Sequence, residues 1–107
     1  MMSKQYIPYL QLLALKKLNP KIKKILISQP AILNALSECI FNVLHGNVKL
    51  SDKQKSKLDK HKKVLRILAT KSVSKLKKRK ILQQNGGGAF LPFLIPAALS
   101  LFQLLTS

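Results

Sequence analysis

The chain has 107 residues, 20 of them lysine or arginine against three acids, for a formal net charge of +17. Glu38, Asp52 and Asp59 are too few and too scattered for an acid–base pair. A single cysteine excludes an internal disulfide or a cysteine-based zinc site, and the two histidines lack ligand-like spacing. One small domain with appendages is expected, basic and non-enzymatic, with no catalytic residue, metal or cofactor, and with an attraction to nucleic acid or anionic lipid.

The segment Met1–Leu15 has neither the basic start nor the small-residue cleavage site of a secretory signal, so an intracellular protein is expected. Residues 1–48 read as an apolar helical bundle punctuated by prolines. Pro8, Pro20 and Pro30 stand where helices begin, since proline is tolerated in a first turn and costly inside. With Asn19 and Ser28 as capping candidates, helices are predicted near Tyr9–Lys17, Lys21–Ile27 and Pro30–Leu44. The third has the clearest period. Ile32, Leu36, Ile40 and Leu44, flanked by Leu33, Cys39 and Val43, form one wide apolar stripe. His45-Gly46-Asn47 ends it, with Gly46 suited to a left-handed cap.

Residues 49–84 form a basic helical segment. Ser51 followed three residues later by Gln54 is a capping-box pattern, opening a helix to about Ala69. Leu58, His61, Val64, Leu65, Leu68 and Ala69 share one side of it; Lys53, Lys55, Lys60, Lys62, Lys63 and Arg66 take the other. After a break at Thr70–Ser74, Ser72 is expected to cap a last basic helix through Gln84. Lys75, Lys77, Lys78, Arg79 and Lys80 surround that helix so fully that fraying is expected without a polyanion. A polyanion would relieve the repulsion.

From Lys49 to Lys80 there are 14 basic residues, and Arg66 and Arg79 are the only arginines in the chain. Lysine is a point charge for phosphate, whereas base reading usually calls for arginine, asparagine or glutamine. The eleven cations named above therefore point to double-stranded DNA bound through its backbone without sequence preference. The plain alternatives are a solvated charged face and a nuclear-localisation run at Lys77–Lys80. Tyr6 and Tyr9 lie far from this stretch, so a base-stacking platform is not expected. Cys39 and His61 read as occupants of apolar faces, and His45 as a helix-end residue.

Residues 85–88 are a glycine joint: Gly86, Gly87 and Gly88 cannot hold a helix and expose the chain to proteolysis. No strand precedes them and no lysine–serine pair follows, so they are not a phosphate-binding loop. Residues 89–107 form a hydrophobic C-terminal tail without an ionisable side chain. As a helix it would span roughly 28 Å, close to a bilayer's hydrocarbon thickness, but Pro96 is expected to kink or interrupt it. Phe90, Leu91, Phe93, Leu94, Ile95, Leu99 and Phe102 are the candidates for contact with a membrane or a partner. Insertion, interfacial binding and packing against the protein's own bundle or another subunit all fit.

A basic run, then glycines, then Phe90-Leu91-Pro92-Phe93-Leu94-Ile95-Pro96 resembles the C-terminal part of adenovirus core protein X, the precursor of the DNA-condensing peptide mu. The likeness to adenovirus covers about Lys75 to Leu105. The wider layout, with Glu38-Cys39-Ile40-Phe41-Asn42-Val43-Leu44-His45-Gly46-Asn47-Val48 before a lysine-rich helix, is similar to the counterparts in adintoviruses and Polinton-type elements. The resemblance implies a virion core component that neutralises packaged double-stranded DNA, passing through the host nucleus. It implies maturation by a viral cysteine protease at Gln84-Asn85-Gly86-Gly87 before Gly88, or one residue later before Ala89. Adenovirus mu is short and arginine-rich, whereas this chain is lysine-rich and carries a helical domain in front.

The expected fold is all-α: a small helical bundle, a basic helix, a glycine hinge and a hydrophobic C-terminal helix. The expected function is sequence-blind binding and condensation of double-stranded DNA, with a tail that is membrane-active or docks on capsid protein. Two rivals are a lytic or viroporin-like protein whose lysines bind anionic lipid, and an assembly scaffold whose tail is a partner helix in an oligomer.

Overall fold

Pro30 opens the helix around which the others gather. A computed structural model of the chain describes residues 4–15, 17–46, 48–83 and 90–106, apart from the side chains of 4 and 101–106. Every regular element in these residues is helical. A 3₁₀ turn at Lys4–Tyr6 leads into α1 (Ile7–Leu13), α2 (Pro20–Ser28), α3 (Pro30–Leu44), α4 (Asp52–Lys60), α5 (Lys62–Ala69), α6 (Lys75–Gln83) and α7 (Leu91–Thr106). Gly86, Gly87 and Gly88, the expected joint and cleavage site, lie outside the described residues, as does the side chain of Phe102.

Helix α3 buries Ile32, Leu33, Ala35, Leu36, Cys39, Ile40 and Val43. A stripe that wide cannot be covered by one neighbour, and α1, α2, α5 and α7 all pack against it. Their buried side chains (Leu10 and Leu13; Leu26 and Ile27; Leu65 and Leu68; Leu94, Ile95, Ala98 and Leu99) join those of α3 in one core. The radius of gyration, 12.7 Å, is that of a folded chain of this length, about 13 Å. Gly46 follows α3 at φ +73°, in the left-handed region that only glycine enters without strain.

Several boundaries differ from the sequence expectation. The first helix starts earlier, with Pro8 in its first turn, and tightens after Leu13, where the Leu15 N–H bonds the Leu12 carbonyl. The Asn19 side chain caps α2 by accepting from the Lys21 N–H at 2.8 Å. Ser28 does not cap α3; its hydroxyl donates back to the Ile25 carbonyl, and Gln29 holds the cap position without a side-chain bond. The capping box of Ser51 and Gln54 forms in both directions. The helix it opens ends at Lys60, not Ala69. His61 leaves helical geometry (φ −110°, ψ 10°), and its ring lies 5.5 Å from that of Phe90. This one-residue break re-aims the chain, so that α5 packs on α3 while α4 buries only Leu58.

Ser74, not Ser72, caps α6, its hydroxyl accepting from the Lys77 N–H. Nor does α6 stand alone in water. It packs on α2 and α5 and buries Leu82. Pro96 sits inside α7 without ending it, at an exposed position. The face of α7 with Leu91, Leu94 and Ile95 is turned into the core.

Because Leu94 is wholly buried in the shared core, Leu94→Ala should destabilise the whole fold by about 2–5 kcal/mol in urea denaturation, with one cooperative transition. A change within about 0.5 kcal/mol, the scale of a surface substitution, would detach α7 from the core.

Candidate polyanion interface

Of the eleven cations expected to meet DNA, nine are exposed: Lys53, Lys55 and Lys60 on α4, Lys62, Lys63 and Arg66 on α5, and Lys75, Lys77 and Lys80 on α6. The amphipathic pattern explains the first six, because the apolar side chains among them and His61 face inward. Leu58, Leu65 and Leu68 are buried, and His61, Val64 and Ala69 are half-buried. The α5–α6 contact brings the second and third groups onto neighbouring helices. Asp59 approaches Lys62 to 3.9 Å, with both side chains largely in solvent, a pairing too exposed to offset much of the cationic field.

The other two cations face the protein. Arg79 donates from Nε to the Ile27 carbonyl at 3.1 Å and from Nη2 to the Ser28 carbonyl at 2.9 Å. These are the last two carbonyls of α2, which its own ladder leaves unpaired. The Gln29 N–H serves the Leu26 carbonyl and the Ser28 hydroxyl serves that of Ile25, so all four terminal carbonyls of α2 have a donor. A guanidinium there also opposes the negative end of the helix dipole. Lys78 is buried, and its Nζ donates to the Ser37 hydroxyl at 3.2 Å, tying α6 to α3. Burial holds its ammonium below the usual lysine range, and the nearby charge of Lys75 adds to the shift. The sequence does not separate these two from their neighbours, because only the tertiary packing selects which basic residues turn inward.

Further exposed cations stand outside the expected set, among them Lys21 and Lys24 on α2 and Lys57 on α4. Lys57 Nζ lies 5.9 Å from the centre of the Phe93 ring, within cation–π range. No local spacing could have signalled that contact. Among the tail candidates, Phe90, Leu91, Leu94, Ile95 and Leu99 are buried in the protein's own core, and Phe93 is half-buried.

Burial and the Glu38 charge push the Cys39 thiol up to about 12, which leaves it a poor nucleophile. Among the described residues, no group of three histidine, cysteine or acidic side chains is placed to hold a metal ion. No protein-family model, curated protein or solved structure matches the chain.

The two classes of cation separate experimentally. Arg79→Ala, which removes two charged hydrogen bonds, should lower stability by about 1–3 kcal/mol in urea denaturation. Lys80→Gln, at an exposed position, should leave stability within about 0.5 kcal/mol. Equal effects of the two would show that Arg79 is not the cap of α2.

Proposed function

We propose that this protein is a non-enzymatic binder of double-stranded DNA that neutralises and condenses it without reading its sequence. The observation that carries this is the run of nine exposed cations over α4, α5 and α6, in a chain with three acids to set against 20 basic residues. Their chemistry favours phosphate over bases. Arg79 is engaged on α2, which leaves Arg66 the one arginine with an exposed side chain for bidentate base contact. The resemblance to adenovirus core protein X and its adintovirus and Polinton-type counterparts supplies the setting, a virion core assembled in the host nucleus.

In this proposal a glycine joint links the cationic part to a hydrophobic C-terminal helix, and a viral cysteine protease cuts at Gly86–Gly88. A role for that helix on a membrane or a capsid protein belongs to α7 once it has left α3, since its apolar side chains are otherwise occupied. No helix of the described residues is long and apolar enough to cross a membrane.

Duplex binding across a salt titration tests the proposal. If roughly six to eight phosphates are neutralised, the log–log slope is about −5 to −7, and duplexes of shuffled sequence compete equally. Replacing Lys53, Lys55, Lys62, Lys63 and Arg66 by glutamine should weaken binding and flatten the slope by about 0.9 for each contact removed. Unchanged affinity would reject these residues as the interface. Weak binding of the unaltered protein at physiological salt would reject DNA as the partner.

A further inference from the structure

A groove of about 1010 Å³ opens between α2, the ends of α1, α4 and α6, and the start of α7. Its accessible apolar lining is Leu15, Leu18, Pro20, Pro92 and Phe93, laid over the buried Leu13, Ile27 and Leu91. Leu15 is 55 % exposed there, a large aliphatic side chain left in water. Among the described residues, four cations join this lining, Lys23 and Lys24 from α2 and Lys57 and Lys60 from α4, and no carboxylate does. The surface is thus greasy and strongly positive at once, a combination that DNA binding does not call for.

We propose that this groove docks an acidic amphipathic helix of a partner protein, with an aliphatic face on the apolar lining and carboxylates on the four lysines. Size supports this occupant. Two turns of helix, 10–12 Å across with a 5.4 Å pitch, fill roughly 1000 Å³. Charge supports it as well, because four lysines from two helices ask for several carboxylates, whereas a single-chain amphiphile brings one. Duplex DNA matches the charge but has no apolar face for Leu15 and Phe93. Burial already holds the Lys23 ammonium below its usual range, a shift that a docked carboxylate would reverse. Helix-in-groove recognition joins apolar anchors to a charged rim in this way.

The test uses the full chain and a fluorescein-labelled peptide of about sixteen residues, with leucine at i, i+3, i+4 and i+7 spacing and glutamate elsewhere. A permuted peptide of the same composition, without an apolar face, is the comparison. The amphipathic peptide should bind at least tenfold more tightly. Leu15→Glu, and separately Lys24→Gln with Lys57→Gln, all at exposed positions, should each weaken it at least tenfold. Lys75→Gln with Lys77→Gln and Lys80→Gln, on α6 and outside the groove, should change it less than twofold while weakening DNA binding. Equal affinity for the permuted peptide would overturn the proposal, showing attraction to the overall field alone. So would a loss in the α6 variant as large as in the groove variants. Displacement of the peptide by one equivalent of oleate, with the two peptides binding equally, would also overturn it and assign the groove to a lipid-like anion.

Discussion

The burial of α3 is the constraint from which the rest of this structure follows. Its apolar side chains occupy more of the circumference than one neighbour can cover, and each Leu or Ile removed from water contributes about 1.5–3 kcal/mol. The chain before α3 supplies two short helices, too little for a core of useful size. The remaining surface is closed by α5 and by α7, the one long uncharged helix. A chain carrying +17 therefore keeps its charge in the first three-quarters and its cover for the core at the end. The two halves of the composition belong to one fold.

Among the described residues most charges sort onto the outside of that core, and two cations that turn inward serve structure. Arg79 completes the hydrogen bonding of the α2 terminus, and Lys78 reaches the Ser37 hydroxyl of α3. Both attach α6, the helix whose own charges would otherwise expel it. This is why a segment with four basic residues in succession at Lys77–Lys80 is helical and docked. Only some of the lysines and arginines are then available to an external polyanion, and burial distinguishes which.

Much of this was legible in the sequence where local chemistry decides. The period of Ile32, Leu36, Ile40 and Leu44, the prolines at helix starts, the Ser51–Gln54 capping box and the left-handed Gly46 all act within a few residues, and all are found. What the sequence does not show depends on partners distant in sequence. The break at His61 accompanies a ring contact with Phe90, 29 positions on, and the duty of Arg79 is set by carbonyls 51 and 52 positions back. A helical wheel drawn on residues 51–69 assigns faces correctly yet cannot show that the helix is two. The cations on α4 and α5 were legible because amphipathicity is local; those of α6 were not, because tertiary packing divides them.

Amide hydrogen exchange on the full chain, without and with duplex DNA at low salt, tests most directly that α7 belongs to the core while the cations face outward. The account predicts that amides between Leu91 and Leu99 are protected as strongly as those of α3 before DNA is added, and remain so afterwards. Free exchange in α7 beside a protected α3, or loss of its protection on DNA binding, would contradict it.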